Sequence, residues 1–365
     1  MDLLLRSWRT VPAVLAAVVL AAWGGLAAGA ESWPGSRDGL EFAWQASNRP
    51  NSVTDPVTQS TRSCRVTPRG MAVFGRFFDM DLSSTAGLRR GGEFVVEGER
   101  EPRPAASAKT HQVTVEAVIT PGPAPKAVAR IITFLTGAGT ANFMLGQESD
   151  ALVLHLRTSE TAGTDVPAVK LGKVAEGRPV HVLVSYSPGH LTCLRDGEPV
   201  ALPSLAGDLG NWAPQTIVFG GGWKGQIEGV AIYSRALGAE EAKAHYAMAA
   251  ARLKGRKAAE RLVVEARLVA TTATPDPKDI APYVRALTGH RYEVVKVEQG
   301  RYDRKELLAA RWAILDKTVL PTTRRVGESY RLVLERFEDH PELEPERLVM
   351  DGATSDLPLF YEVEP

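Results

Sequence analysis

Three side chains that could bind a sugar lie within five residues of one another: Asp208, Asn211 and Trp212. A carboxylate and an amide can each form hydrogen bonds with neighbouring hydroxyl groups, and an indole ring can stack on the apolar face of a sugar ring. This spacing indicates a carbohydrate-binding loop. The same residues also suit an ordinary turn, because Asp and Asn favour turns, and Trp212 could instead belong to the hydrophobic core.

A second polar segment has a similar but weaker composition, with Asn142 and Gln147 as candidate sugar-binding side chains. The usual signatures of catalysis are absent from the sequence. The seven histidines are scattered without zinc-ligand spacing, and no serine-nucleophile or nucleotide-binding motif occurs. We therefore predict no catalytic residues and no metal site. His181, which begins an apolar strand, is predicted to be a hydrogen-bonded structural histidine.

The charges of the chain are balanced, with 43 basic and 43 acidic side chains. A neutral chain has no general electrostatic attraction to nucleic acid or to a membrane surface, so neither is an expected partner. At 365 residues the chain is longer than one hydrophobic core usually supports. Two domains are therefore expected.

The first 30 residues have the pattern of a secretory signal peptide. Arg6 and Arg9 precede an apolar stretch at 11–26, and the small residues that end at Ala30 satisfy the cleavage rule. We expect cleavage after Ala30, a secreted, periplasmic or cell-surface protein, and no membrane span after cleavage. An uncleaved membrane anchor is the alternative, since the apolar stretch approaches the length of a span.

Two cysteines occur in the sequence, Cys64 and Cys193, and both lie in strand-like segments. An even count in an exported chain favours a disulfide between them. The alternative is two buried thiols that pack as small apolar groups.

Residues 31–250 have the pattern of an all-β sandwich, with short alternating segments separated by Gly, Pro and Asp. Alternate residues of 113–119 are apolar and would share one face. The strand-like segments 181–186 and 191–195 follow, and the Asp196-Gly197 pair after them supplies a tight turn. The charged, Pro-rich segment 93–109 is expected to be an exposed loop.

The end of this region, residues 225–246, resembles the last strand and terminal helix of laminin-G-like, concanavalin A-like jelly-roll domains. A strand-like run leads into a turn with Tyr233, Arg235 and Leu237 at alternate positions, and a short amphipathic helix with a pair of glutamates follows. The hairpin described above also suits this family, so the resemblance covers residues 40–246. It implies an antiparallel jelly roll, a fold that mainly binds carbohydrate or protein and includes a minority of enzymes.

The resemblance also raises an enzymatic alternative, because this family includes glycoside hydrolases and lyases. Two carboxylates must then flank one glycosidic bond. The usual run of alternating acidic residues is absent, but Glu116 and Glu228 lie on strands that can be neighbours in such a jelly roll. Pairing of each glutamate with an arginine or a backbone amide would make both structural. Calcium is common among laminin-G relatives, but no acidic cluster here has convincing ligand spacing, so no cofactor is predicted.

The C-terminal part begins with a basic segment at 251–261. We interpret its charges as those of a solvated linker or a helix extension, in preference to a site for an anionic partner. Strand-like segments then predict a small β-rich domain at 262–365, for which an OB-type barrel is one interpretation. The segments are 262–270, 291–297, 306–315, 330–337 and 357–363.

These patterns predict an all-β protein in which an antiparallel jelly-roll β-sandwich is followed by a small β-barrel-like domain. The favoured function is that of an exported, non-catalytic binding protein. It would recognise a glycan or cell-surface polysaccharide through polar loops and one stacking aromatic ring. The alternatives are a polysaccharide-acting hydrolase or lyase that uses Glu116 and Glu228, and a structural or protein-interaction module that binds a surface protein.

Overall fold

The computed structural model describes residues 33–46, 64–83, 91–98, 106–137, 139–161, 166–213, 215–351 and 356–363. The predicted signal peptide at 1–30 lies outside these residues. The described chain consists mostly of β-strands, as the predicted fold class requires. Within those ranges, no helix is long and apolar enough to cross a membrane.

The N-terminal part is a sandwich of two antiparallel sheets. Its strands are β1 Leu40–Gln45, β2 Cys64–Arg69, β3 Val73–Phe74, β4 Met80–Asp81, β5 Glu93–Gly98, β6 Val113–Pro121, β7 Ala129–Thr136, β8 Ala141–Glu148, β9 Ala151–Leu156, β10 Ala168–Lys173, β11 Val180–Ser187, β12 His190–Arg195, β13 Glu198–Val200, β14 Gln215–Gly220 and β15 Gly225–Tyr233. Sheet A has the order β13-β12-β11-β6-β15-β4-β3, with β1 also paired to β15. Sheet B has the order β10-β9-β8-β7-β14-β5-β2.

The core of the sandwich lies between the two sheets and follows from strand alternation. Val113, Val115 and Ile119 of β6 are buried against residues of sheet B, as their spacing predicts. Phe134 of β7 and Phe143 of β8 stack in the same core, with ring centroids 4.9 Å apart. The opposite face of β6 therefore points away from sheet B.

That opposite face of sheet A is covered by helix α2, Ala239–Lys254. The helix begins at Ala239, where the sequence predicts it. It carries two glutamates in its first turn, where their negative charges interact favourably with the helix dipole and stabilise the helix. Ala242 and Ala249 pack with Val118 and Leu183 of the sheet in a second apolar cluster. A shorter helix, α1 Ser107–Thr110, precedes β6.

The C-terminal part closes into a five-stranded barrel. Its elements are β16 Arg261–Thr271, β17 Ala286–Gln299, β18 Glu306–Leu315, β19 Thr318–Val319, β20 Ser329–Arg336, β21 Arg347–Val349, β22 Leu359–Glu362 and two 3₁₀ helices, Phe337–Asp339 and Pro341–Leu343. The order β18-β22-β20-β16-β17 closes because β17 also pairs with β18. A five-stranded barrel agrees with the predicted β-barrel-like domain, and the OB-type interpretation stays a prediction.

The barrel packs against the β2–β3 end of the sandwich. Met71 and Val73 share an apolar cluster with Leu287 and Trp312 of the barrel strands. The Arg285 guanidinium donates a 2.8 Å hydrogen bond to the carbonyl oxygen of Ala72 from inside this contact. The two parts are therefore joined by buried apolar and polar contacts as well as by the chain.

The predicted disulfide does not form. Cys193 of β12 is a buried free thiol, and the Cys64 side chain lies outside the described residues. β12 lies near one end of sheet A, whereas β2, which begins at Cys64, forms the far edge of sheet B. Burial raises the pKa of the Cys193 thiol to about 12, so this side chain packs as a small apolar group.

The predicted loop at 93–109 is wrong for its first residues. Residues Glu93–Gly98 form β5, which lies between β14 and β2 in sheet B. Phe94 and Val96 alternate into the core, and Glu93 and Glu97 take the other face. The charges that suggested a loop belong to the outer face of a strand.

Candidate functional site

Four of the five predicted sugar-binding side chains lie at one end of the sandwich, either at its surface or just below it: Asp208, Asn211, Trp212 and Asn142. The segment 207–213 lies against the segment 157–161, which follows β9. The Asp208 N–H donates to Ser159 Oγ at 2.9 Å, and the Ser159 N–H donates to the Asp208 carbonyl at 2.8 Å. We call the exposed surface formed by His111, Ser159, Asp208 and Asn211 the end-loop site.

Trp212 does not provide the expected stacking ring. Only 6% of its surface is exposed, and it belongs to the core between the sheets. Its ring meets Phe134 edge to face at 6.2 Å, and its Nε1 donates a 2.8 Å hydrogen bond to the Arg157 carbonyl. Trp212 therefore fixes the end-loop site from beneath and shows no free face to a ligand.

Asp208 is the exposed carboxylate of the end-loop site. Its Oδ1 accepts a 2.9 Å hydrogen bond from the Gly210 N–H, which shapes the turn. The same oxygen lies 3.6 Å from His111 Nδ1, and both side chains are more than two-fifths exposed. The Asn211 side chain donates to the Thr158 carbonyl at 2.9 Å. Asp208 and His111 thus present an acceptor and an imidazole side by side at the surface.

His111 has no signal in the sequence that marks it as part of this site. It ends helix α1 in the left-handed backbone conformation, with a φ of 56°. It lies 97 positions before Asp208, so only the fold brings the two together.

Asn142 and Gln147 are buried and structural. The Asn142 amide donates to Gln215 Oε1 at 2.8 Å, below the end-loop site. Gln147 lies elsewhere, where its Oε1 accepts a 2.7 Å hydrogen bond from Trp223 Nε1. Its own amide donates to the Ser149 carbonyl at 2.8 Å. Both amides are used within the protein, so neither reaches a ligand at the surface.

Glu116 is fully buried between sheet A and α2. Its Oε1 accepts hydrogen bonds from Trp33 Nε1 at 2.6 Å and His181 Nε2 at 2.7 Å, and its Oε2 lies 2.8 Å from His245 Nδ1. Burial opposes ionisation of Glu116, but the hydrogen bonds from both histidines outweigh it and lower its pKa. His181 is thus the hydrogen-bonded structural histidine that the sequence predicts.

Glu228, the other carboxylate of the hydrolase alternative, is also buried in a structural pair. Its two carboxylate oxygens face the two terminal nitrogens of Arg256, and Arg252 Nη2 donates to its carbonyl at 3.0 Å. Both Glu116 and Glu228 are almost without exposed surface. The catalytic pair of the hydrolase alternative is therefore not assembled, because His245 of α2 contacts Glu116 and Arg256, two residues after the end of α2, pairs with Glu228.

The described residues contain no group of three or more His, Cys, Asp or Glu side chains arranged to hold a metal ion. That the protein needs no cofactor stays a prediction.

Residues 101–243 match the family described as the concanavalin A-like lectin/glucanases superfamily. The N-terminal sandwich is accordingly similar to domains of this superfamily over those residues. The match lies within the residues for which the sequence shows the resemblance, and it does not extend to the barrel.

Comparison with solved structures gives weaker similarities. The Trypanosoma rangeli sialidase in complex with sialic acid is 17% identical, over 57% of this chain and 32% of that chain, with a TM-score of 0.42. The binding domain of botulinum neurotoxin DC in complex with rat synaptotagmin II is 12% identical, over 82% of this chain and 74% of that chain, with a TM-score of 0.46. The match thus spans about a third of the sialidase. No curated protein matches the chain.

Proposed function

We propose that the protein is an exported, non-catalytic binding protein that recognises carbohydrate through the end-loop site. The observation that carries the proposal is the exposed Asp208 carboxylate, which a rigid loop presents beside His111. A carboxylate accepts hydrogen bonds from adjacent sugar hydroxyls, and a neutral imidazole can donate one. A lectin-type sandwich is a suitable support for such loops.

Rigidity of the loop supports binding, because a preformed site loses less conformational entropy when a ligand arrives. Trp212 fixes the loop from the core side, and Tyr186 fixes it from sheet A through a 2.7 Å hydrogen bond from its hydroxyl to the Gly207 carbonyl. Asn211 ties it to the neighbouring segment. Since Trp212 cannot stack on a sugar, we expect a shallow, hydrogen-bonded site with weak affinity for each sugar unit.

The non-catalytic part of the proposal is supported by the environment of the two glutamates. Glu116 and Glu228 are almost without exposed surface, and each is already paired. A hydrolase would need two carboxylates about 5–9.5 Å apart on either side of a bound sugar. A reducing-sugar assay on the polysaccharide that the protein binds should therefore show no release of sugar ends.

A glycan array followed by calorimetric titration of the best ligand tests this function. Asp208→Asn should weaken binding roughly 10–100-fold, which corresponds to the loss of about 1.5–3 kcal/mol for a hydrogen bond to a charged group. Asp150→Asn is the matched control, because Asp150 lies on another exposed turn and pairs with Lys173. Equal affinity of the Asp208 variant and the wild type, or no glycan bound at all, would contradict the proposal and favour a protein-interaction module.

A further inference from the structure

One end of the C-terminal barrel is polar, although the rest of its interior is apolar. Tyr292 and Ala309 face the interior cluster, and the alternation of the strands places His290 of β17 and Arg311 of β18 on the same side, nearer the end. The register pairs His290 with Thr271 of β16 and with Ala309. We call the group of Thr271, Thr288, His290, Arg311 and Arg324 the barrel mouth.

His290 is a neutral imidazole held between two hydroxyl groups. Its Nδ1 lies 2.8 Å from Thr271 Oγ1, and its Nε2 lies 3.0 Å from Thr288 Oγ1. Burial and the positive charges of Arg311 and Arg324 lower its pKa to about 4. Because it carries no charge at neutral pH, His290 does not add to the positive charge of the barrel mouth.

The two arginines differ in how their charges are balanced. Arg324 pairs with the Glu362 carboxylate, donates a 2.5 Å hydrogen bond to the Tyr292 hydroxyl and lies over the Tyr330 ring at 5.1 Å. Arg311 has neither a hydrogen bond nor an ion pair with any described residue. The register places Arg311 directly opposite Thr288 of β17, at the same end of the barrel as His290.

A partly buried guanidinium without a counter-charge is an unusual arrangement, since buried charges in proteins are normally paired. The nearby carboxylate of Glu362 pairs with Arg324 through its Oε1, and its buried Oε2 has no hydrogen-bond partner among the described residues. We propose that the barrel mouth is a binding site for an oxyanion, such as a sulfate, phosphate or carboxylate group, which pairs with Arg311 beside Thr271 and His290. The planar guanidinium suits two oxygens of such a group, and the hydroxyl of Thr271, an exposed residue, lies beside His290 at the same end.

The imidazole of His290 provides a direct measurement of binding. An anion beside Arg311 would offset the positive charge that opposes protonation, so the pKa of His290 should rise from about 4 toward its ordinary value of 6.5. NMR titration of the histidine ring signals, with and without sodium sulfate, measures this shift. Sodium chloride at the same ionic strength separates specific binding from screening of the charges.

Arg311→Gln is the test variant, and Arg325→Gln, in the exposed segment next to Arg324, is its matched control. Without any added anion, Arg311→Gln should raise the pKa of His290, and sulfate should then have little further effect. Arg325→Gln should respond to sulfate like the wild type. An unchanged His290 pKa on addition of sulfate to the wild type, or an equal response in the Arg311 variant, would overturn the proposal.

The chemical source of the oxyanion is distinguished by repeating the titration with phosphate, acetate and glucuronate, and with glucose as the uncharged comparison. A response to glucuronate but not to glucose or acetate would indicate an acidic sugar. Equal responses to all the anions would indicate a site that binds oxyanions without distinguishing between them. Because the barrel mouth lies outside the sandwich, Asp208→Asn should leave these responses unchanged, so failure of the end-loop proposal and failure of this one can be told apart.

Discussion

Replacement of Glu116 by glutamine tests whether the buried carboxylate joins sheet A, the segment at Trp33 and helix α2. In the wild type, one carboxylate oxygen accepts from Trp33 and His181, and the other faces His245. The amide of glutamine has one acceptor oxygen, which can still serve Trp33 and His181. Its NH2 group would then face the Nδ1 of His245, which donates in the wild type because its Nε2 accepts from the Ser36 N–H at 3.4 Å.

The expected destabilisation follows from these contacts. Glu116→Gln removes a charge from three hydrogen bonds and leaves one donor facing another, so we expect a loss of roughly 2–4 kcal/mol, close to the range for a broken buried pair. Chemical denaturation monitored by tryptophan fluorescence measures this loss. Glu240→Gln is the control, because Glu240 is almost fully exposed in its pair with Lys243 and should change stability by less than about 0.5 kcal/mol.

The same variant should also change the response to acid. The folded-state pKa of Glu116 lies below its ordinary value of 4.5, so the ionised form stabilises the protein above that pH. This stabilisation is lost as the pH falls through the folded-state pKa, and the difference between the wild type and Glu116→Gln should shrink accordingly. A Glu116→Gln protein as stable as the Glu240→Gln control at pH 7 would refute the structural role of this carboxylate.

Two further substitutions have defined outcomes. Trp212→Ala should reduce the free energy of unfolding by roughly 3–5 kcal/mol, as expected for a buried ring, and a variant with an unchanged melting temperature would show that the ring is not part of the core. Burial, together with repulsion from Glu228 and Asp81, raises the pKa of Asp79 to about 8. The folded state therefore loses stability as the pH rises from about 4 to 8, and Asp79→Asn should be more stable than the wild type at pH 8 but not at pH 4. Denaturation at the two pH values measures this, and equal differences at both would contradict it.

Strands β6, β11 and β15 and the start of α2 could be predicted from the sequence because they depend on local patterns, whereas the charges of β5 hid its alternation. Alternation identified β6 and β11, and the run from β15 into α2 has both an apolar strand and acidic residues at the start of the helix. In the barrel, all five predicted strand segments overlap observed strands, namely β16, β17, β18, β20 and β22. In these segments the alternation of apolar residues indicates a strand, and turn-forming residues mark where the strand ends.

The end-loop site was only partly predictable, because contacts distant in sequence decide which side of a loop residue is buried. The turn residues at Asp208 and Asn211 were visible in the sequence, but the burial of Trp212 depends on Phe134 and on the Arg157 carbonyl, both more than 50 positions away. The three partners of Glu116 are likewise 65 to 129 positions distant. The local sequence is the same whether the tryptophan after such a turn lies at the surface or in the core, so it cannot distinguish the two positions.

Helix α2 limits where a ligand can bind to the sandwich. Only five residues separate Tyr233 from Ala239, so the helix must turn back across the sheet to which β15 belongs. His245 and Arg252 are seven residues apart, which is about two helical turns, so they lie on one face about 10 Å apart. His245 reaches Glu116, and Arg252 reaches the backbone of Glu228. Helix α2 therefore covers the Glu116 carboxylate, and Arg256, two residues beyond the end of the helix, pairs with the Glu228 carboxylate. Neither carboxylate of the hydrolase alternative is open to a sugar. A ligand of the sandwich must bind where α2 is absent, and the end-loop site is such a place.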